Sequence, residues 1–322
     1  MRLVELGPGK GTLMADVLRA AEAWPGFAAA LDVHLVETSR RLRLAQSRAL
    51  PAAGVTWHET LAEVPGAAEQ HGRSSSSSSS GGAAAAAAVP TLLVAHEMLD
   101  CLPVHAFEYT EAGWRERLVG LAARPPAYDD APPVFQYTLA DLETAASKAL
   151  LRGGSGGAAV GDRLEVCPAA MALGCDIAER LRATTGAALV VDYGAAAAPA
   201  ESVRGFFRHT RVDALDSPGE VDLTADVDFG ALARAAAAAV PEVAVQECRP
   251  QGHWLQAMGI AERVTSLIEH EDTTEAAAER LVGAYERLVD PKQMGETYQV
   301  LAMSAGLEGG GTAGFEAAVP AE

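Results

Sequence analysis

The amino-acid sequence predicts an α/β fold, namely an open, mostly parallel sheet with helices on both faces. Within the first 65 residues, short apolar runs alternate with helical stretches, which is the pattern of right-handed βαβ units. A glycine-rich turn joins the first apolar run to the first helix, as at the ligand-binding edge of such sheets. Further along the chain, the apolar runs at 91–95 and 187–191 predict two more buried strands.

The other predicted elements follow in chain order. In the first 65 residues they are a strand at 3–6, a turn at 7–11, a helix at 12–23, a strand at 33–36, a helix at 39–50 and a strand at 55–58. Residues 106–110 and 115–121 flank Glu111-Ala112-Gly113, which predicts a hairpin. The remaining elements are a strand at 163–166, a helix at 175–184, a helix at 229–239 and a last strand at 298–303.

We predict one domain over residues 1–305, with a low-complexity insertion at 70–89 and a disordered tail at 306–322. The insertion holds a serine run and an alanine run, which have too little apolar surface to offset the entropy of ordering. Because a strand is predicted directly afterwards, we interpret the insertion as a surface loop and not as a domain boundary. The first predicted strand begins almost at Met1, so we expect an N-terminal portion of the domain to precede it.

The composition excludes several classes of partner. The 322 residues include 25 Lys and Arg against 43 Asp and Glu, so the formal net charge is −18. A general nucleic-acid binder needs a basic face, and so does a protein that adheres to anionic lipid. The longest nearly charge-free apolar stretch, residues 83–95, is too short to span a bilayer. The four cysteines show no CxxC spacing and the histidines no HExxH motif, so no metal site is predicted.

The strongest local signal is the segment Glu5-Leu6-Gly7-Pro8-Gly9-Lys10-Gly11-Thr12. Glycines at 7, 9 and 11 allow tight turning and close approach of a ligand to the backbone. The spacing fits neither GxGxxG nor a P-loop. Glu5 would repel a pyrophosphate but would suit a positively charged ligand, such as the amino-acid portion of S-adenosylmethionine. The alternative is an ordinary glycine-rich turn without a ligand.

Three further acids lie at the predicted ends of strands. Glu37 follows the second strand, where an acid can accept hydrogen bonds from ribose hydroxyls, although it could equally be the neighbour of a helix N-cap. Glu97 and Asp100 follow the strand at 91–95. Two carboxylates there could hold a guanidinium, or accept the proton released when a nitrogen is alkylated. The alternative is that Asp100 caps a helix and Glu97 pairs with a surface cation.

Seven segments of the chain also match the pattern of one known family. The most specific is the run Asp222-Leu223-Thr224-Ala225-Asp226-Val227-Asp228-Phe229, which belongs to the longer segment 219–229. The other segments are 5–12, 97–103, 164–168, 191–194, 204–206 and 290–296. By these residues the sequence resembles the MidA-like family of methyltransferases.

The resemblance implies a class I methyltransferase fold (a Rossmann-like sheet) with S-adenosylmethionine as the cofactor. It also implies a type II protein arginine methyltransferase, which symmetrically dimethylates a complex I subunit during complex I assembly in the mitochondrial matrix. Glu97 and Asp100 would then be the catalytic residues. The cofactor would be held by Glu5, Gly7, Gly9, Gly11 and Glu37.

One departure from the family concerns the N-terminus. The family carries a segment before the glycine motif, which we expect to lie upstream of Met1, and no transit peptide is visible in this sequence. A non-catalytic assembly scaffold that keeps the fold is therefore an alternative to an enzyme. A nicotinamide-dependent oxidoreductase is disfavoured by Glu5 and by the glycine spacing.

Overall fold

The computed structural model describes residues 1–50, 54–66, 88–123, 134–151, 157–197, 200–307 and 312–315. These residues fall into two compact units. The first unit holds the described parts of Met1–Leu99, Met171–Tyr193 and Gly230–Glu322, and the second those of Asp100–Ala170 and Gly194–Phe229. Most of the predicted insertion, residues 70–87, lies outside the described residues, as do residues 308–311 and 316–322 of the predicted tail.

In these described ranges the chain forms sixteen strands and nine α-helices, besides a short 3₁₀ helix at Leu61–Glu63 and a π-helical turn at Pro291–Gly295. The strands are β1 (Arg2–Leu6), β2 (Asp32–Val36), β3 (Val55–His58), β4 (Thr91–His96), β5 (His105–Thr110), β6 (Gly113–Leu121), β7 (Phe135–Leu139), β8 (Arg163–Val166), β9 (Gly186–Ala195), β10 (Arg204–Phe207), β11 (Thr210–Val212), β12 (Asp222–Thr224), β13 (Val227–Asp228), β14 (Ala244–Val245), β15 (Arg249–Pro250) and β16 (Tyr298–Ala305). The helices are α1 (Thr12–Ala21), α2 (Pro25–Ala29), α3 (Arg40–Ala49), α4 (Ala145–Leu150), α5 (Pro168–Thr184), α6 (Phe229–Ala239), α7 (Gln251–Ala257), α8 (Ile260–Ile268) and α9 (Glu275–Val289).

The first unit is built on one sheet. Its strands lie in the order β14-β16-β9-β4-β1-β2-β3, and β15 pairs with β16. The five strands from β9 to β3 are parallel, whereas β16 runs antiparallel to β9. All five residues of the central strand β1 are buried, as expected for a parallel strand covered on both faces.

Helices flank this sheet, and α1 and the end of α3 pack apolar side chains against it. One buried apolar cluster joins β1, β2, α1 and the end of α3, and its members are Leu3, Met14, Val33, Leu35 and Leu50. Helices α5 and α6 pack closely, since a Cβ at Gly174 would lie 2.7 Å from Cδ1 of Leu232. Burial of each such side chain contributes about 1.5–3 kcal/mol to stability.

The second unit contains two small antiparallel sheets. Four strands lie in the order β7-β6-β5-β8 and three in the order β11-β10-β12, while β13 pairs with Gly194 and Ala195 of β9. The buried carboxylate of Glu165 accepts hydrogen bonds from the backbone and the hydroxyl of Ser202. Arg204 and Asp226 form an ion pair.

The predicted α/β fold is confirmed, with a mostly parallel central sheet flanked by helices. The predicted hairpin is also present, as the antiparallel pair β5 and β6. Helix α5 begins seven residues before the predicted start at Cys175, and strand β9 extends to Ala195. Within the described residues, no helix is both long and apolar enough to cross a membrane.

Candidate active site

The parallel strands of the first unit end together at one edge of the sheet. Leu6 of β1 pairs with Val36 of β2 and with Ala95 of β4, so the segments that follow these strands are neighbours. Open α/β sheets bind their ligands at this carboxyl edge. Each of these three strands is followed directly by a predicted site residue, namely Gly7 after β1, Glu37 after β2 and Glu97 after β4.

The glycine turn after β1 requires its glycines. Gly7, Gly9 and Gly11 have φ angles of 63°, 53° and 82°, in the left-handed region that other residues adopt at a cost. A Cβ at Gly7 would lie 2.5 Å from Cγ of Met98, so the turn packs tightly against the segment after β4. By contrast, a Cβ at Gly9 would meet nothing within 4 Å, which leaves open space for a ligand beside the backbone.

Glu5 is a buried acid inside β1. Its side chain is only 3% exposed, and its Oε2 has no hydrogen-bond partner among the described residues. Burial raises the pKa of this carboxyl from 4.5 to about 7, because desolvation disfavours the charged form. A cation placed beside Glu5 would supply the missing partner and would favour the ionised carboxylate.

Glu37 is buried but is already hydrogen-bonded. Its Oε1 accepts the backbone N–H of Ser39 at 2.8 Å, and its Oε2 accepts Nε2–H of Gln46 at 3.2 Å. A carboxylate has about four acceptor positions, so acceptor capacity remains for ligand hydroxyls. Ser39 is also the N-cap of α3, because its hydroxyl accepts the N–H of Leu42. Glu37 is therefore both a candidate ligand-binding acid and the neighbour of a helix cap.

The residue that joins Glu37 to the glycine turn, Gln46, was not among those predicted from the sequence. Gln46 on α3 is fully buried, and its Nε2 also donates to the carbonyl of Gly9 at 2.8 Å. Its Oε1 accepts the indole N–H of Trp57 at 2.9 Å. The sequence carried one available signal, since Gln46 stands four residues after Leu42, on the face of α3 where apolar side chains are expected.

The segment after β4 is held by a second residue whose role sequence analysis did not assign. Asp192 of β9 is fully buried, and its Oδ2 accepts the N–H groups of Met98 and Leu99 at 3.1 and 2.9 Å. The preceding residue, Glu97, has a φ of 49° and an exposed side chain. A non-glycine residue in this conformation is strained, and such strain clusters at functional sites.

Asp100 belongs to the second unit, whereas Glu97 belongs to the first. The side chain of Asp100 is buried, and its backbone carbonyl accepts the N–H of Ala225 at 2.9 Å. Asp100 lines a cavity of about 390 Å³ within the second unit. Most of the other lining residues are apolar, among them Leu102, Val119 and Leu223.

The structure therefore brings some of the predicted site residues together, but not all of them. Gln46 links the glycine turn to Glu37, and Gly7 packs against the segment that carries Glu97. Within the described ranges, no group of three or more His, Cys, Asp or Glu side chains could hold a metal ion. The site thus offers carboxylates, backbone carbonyls and open space beside glycine.

Comparison with known proteins assigns the family. Residues 1–245 match the model of the S-adenosyl-L-methionine-dependent methyltransferases of the MidA-like type. The chain belongs to this family, which confirms the resemblance and the predicted cofactor, S-adenosylmethionine.

Individual relatives are named as arginine methyltransferases. Mouse "Protein arginine methyltransferase NDUFAF7, mitochondrial" is 34% identical over 94% of this chain and 66% of its own length. The human and zebrafish proteins of the same name are 33% and 32% identical, over 94% and 93% of this chain and 66% and 68% of their own lengths. The chain thus spans 66% of the mouse and human relatives, slightly less than two thirds.

Two crystal structures of proteins from Burkholderia thailandensis are similar to this chain, each at 25% identity. One is the native structure of an uncharacterised protein, with a TM-score of 0.75. The match covers 98% of this chain and 76% of that protein. The other protein is bound to S-adenosyl-homocysteine and has a TM-score of 0.70. The match covers 96% of this chain and 72% of that protein. The residues present here fit that class of ligand, because Glu5 has a buried oxygen without a partner and Gly9 has open space beside it.

Proposed function

We propose that this protein transfers a methyl group from S-adenosylmethionine to an arginine side chain of a protein substrate. The names of the relatives support an arginine substrate. The observation that carries the proposal is the strained, exposed Glu97, on a segment packed against the glycine turn at the carboxyl edge of the sheet. This arrangement would place the carboxylate of Glu97 at the carboxyl edge of the sheet, where the cofactor would bind beside the glycine turn.

The roles of the cofactor-binding residues follow from their environments. When bound, S-adenosylmethionine supplies an electrophilic methyl group on a positively charged sulfur. Glu5 would offer a buried carboxylate to the positive charge of the ligand, and Glu37 would accept its ribose hydroxyls. Gly7, Gly9 and Gly11 would let the ligand approach the backbone.

The roles of the two catalytic candidates concern the substrate. Glu97 would accept hydrogen bonds from the guanidinium and orient one nitrogen for in-line attack, since positioning supplies much of such catalysis. A carboxylate there would also accept the proton that this nitrogen loses when its bond to the methyl carbon forms. Asp100, in the second unit, stays the other catalytic candidate, and its carboxylate would offer acceptors to a guanidinium.

We extend the proposal to the biological setting that the family resemblance implies. The substrate would be a complex I subunit, the product symmetric dimethylarginine, and the location the mitochondrial matrix. Relatives named as mitochondrial support the organelle. Mass spectrometry of a mitochondrial protein extract, methylated by the purified protein with labelled cofactor, tests the substrate and the product together. Symmetric dimethylarginine on a complex I subunit is the expected result.

Substitution of Glu97 tests the catalytic role. Glu97→Gln keeps the shape and removes the charge that faces the guanidinium, which should cost about 1.5–3 kcal/mol of transition-state stabilisation. The rate of methyl transfer should fall roughly 10- to 150-fold. Affinity for S-adenosylmethionine, measured by calorimetry, should stay unchanged, because Glu97 is not assigned to the cofactor.

Two outcomes would contradict this assignment. Full activity of Glu97→Gln would show that the guanidinium is held elsewhere, whereas loss of cofactor binding would move Glu97 to the cofactor site. If the wild-type protein binds a complex I subunit without methylating it, the non-catalytic scaffold is the better description.

A further inference from the structure

Gln46 makes three hydrogen bonds inside the first unit, and their partners fix the orientation of its amide. The indole N–H of Trp57 can only donate, so the amide oxygen must face it. The carbonyl of Gly9 and the carboxylate of Glu37 can only accept, so the amide nitrogen must face both. The side chain is therefore held in one orientation, with both N–H groups committed to the site.

This orientation connects four separate parts of the chain. Gly9 lies in the turn after β1, Glu37 follows β2, Trp57 belongs to β3 and Gln46 belongs to α3. Gln46 also lies beside the turn, because a Cβ at Gly11 would be in van der Waals contact with its Cα, at 3.4 Å. With an exposed fraction of 0%, Gln46 meets no competition from water for these hydrogen bonds.

We propose that Gln46 is a positioning residue that gives the site its selectivity for ribose hydroxyls, by fixing the carboxylate of Glu37 relative to the glycine turn. This inference rests on the proposed role of Glu37. The Ser39 N–H holds Oε1 and Gln46 holds Oε2, so the carboxylate plane is set from both ends. Hydroxyls that approach the remaining acceptor positions then meet a preorganised carboxylate and not a rotating one.

Binding of two ligands tests the inference without any methyl transfer. The probes are S-adenosylhomocysteine and its analogue that lacks both ribose hydroxyls, with affinities measured by calorimetry. The wild-type protein should prefer the hydroxylated ligand about 10- to 100-fold, as expected for hydrogen bonds to a charged group. Gln46→Met is nearly isosteric and removes all three hydrogen bonds. This variant should lower the affinity for S-adenosylhomocysteine about tenfold and change the affinity for the analogue less than about threefold.

A matched control separates positioning from general loss of stability. Gln251 is also a buried glutamine of the first unit, and its Nε2 donates to the carbonyl of Leu288 at 3.1 Å. Gln251→Met should lower the melting temperature and leave the ligand preference at its wild-type value. If Gln46→Met does not fold, Trp57→Phe decides, because it leaves Gln46 itself unchanged and removes the donor that orients the amide, together with part of a ring packed against the core. This variant should lower the preference about threefold.

The outcomes distinguish failure of this inference from failure of the proposed function. If Glu37→Gln abolishes the preference but Gln46→Met, or Trp57→Phe in its place, retains it, Gln46 is merely structural and the inference is wrong. If Glu37→Gln retains the preference, the proposed role of Glu37 fails and the inference fails with it. An equal loss of affinity for both ligands in Gln46→Met would also overturn the inference. A selective loss confined to the hydroxylated ligand would support it.

Discussion

Replacing Glu5 by glutamine should change how the stability of the protein depends on pH. The carboxyl titrates near 4.5 when unfolded and at about 7 when folded, because it is buried without a partner for Oε2. At about 1.4 kcal/mol per pH unit, this difference corresponds to about 3 kcal/mol. Below pH 4.5 the carboxyl is neutral in both states and costs nothing by ionisation.

The sign follows from proton binding. Between pH 4.5 and about 7 the folded protein holds a proton that the unfolded chain has lost, so raising the pH favours unfolding. Relative to Glu5→Gln, the wild-type free energy of unfolding should therefore fall by about 3 kcal/mol between pH 4.5 and pH 8, and then level off. Any constant cost of the new amide cancels, because only the change with pH is compared.

Urea denaturation of both proteins at several pH values measures this difference. A saturating concentration of S-adenosylmethionine should reduce the wild-type loss, because a cation beside Glu5 favours the ionised carboxylate. Glu5→Gln should bind the cofactor more weakly above pH 7 and show little pH dependence of binding between pH 6 and 8. A difference in unfolding free energy that is flat between pH 5 and pH 8 would refute the reasoning about Glu5.

Three further predictions concern the segments around the site. Asp192→Asn should destabilise the protein by about 1.5–3 kcal/mol in urea denaturation, because Oδ2 accepts the N–H groups of Met98 and Leu99 while Oδ1 accepts that of Tyr193, and an amide nitrogen in either place cannot accept. It should also lower kcat by releasing the Glu97 segment, and unchanged stability would contradict this. Gly7→Ala should destabilise by more than the 1–2 kcal/mol of left-handed strain, because the new Cβ meets Met98 at 2.5 Å. Gly9→Ala should destabilise the protein only by that strain, but it should lower the affinity for S-adenosylmethionine measured by calorimetry. Equal stability losses at both glycines would be inconsistent with this geometry.

The sequence predicted best where local pattern decides the structure. The segment from β1 to α3 combines buried apolar runs, left-handed glycines and a serine N-cap, all of which are local signals. The strands β10 to β13 were missed, because they are two to four residues long and gain their stability from distant partners. Helices α7 to α9 were missed as well: only three of their residues, Gln251, Gly252 and Val289, are buried, so no buried apolar run marks them in the sequence.

The candidate site shows the same division between local and tertiary information. Glycines and acids at strand ends are visible in one segment of sequence, so their position at the sheet edge could be predicted. The roles of Gln46 and Asp192 could not, because each contacts groups far away in the chain, at separations of 37 residues for Gly9 and 94 for Met98. Their function depends on strand order, which a single sequence does not state.

The environments of the three acids in the first unit argue for three different roles. Glu5 is buried with an oxygen that lacks a partner, so it gains most from a cation. Glu37 is buried with both oxygens engaged, so it is best suited to accept further hydroxyl donors from a fixed position. Glu97 is exposed and strained, so a large incoming group can reach it. Environments that separate otherwise identical groups are the usual way in which an enzyme divides tasks among its carboxylates. The order from buried to exposed therefore supports the three proposed roles. Glu5 would face the positive charge of the cofactor, Glu37 its ribose hydroxyls, and Glu97 the guanidinium of the substrate.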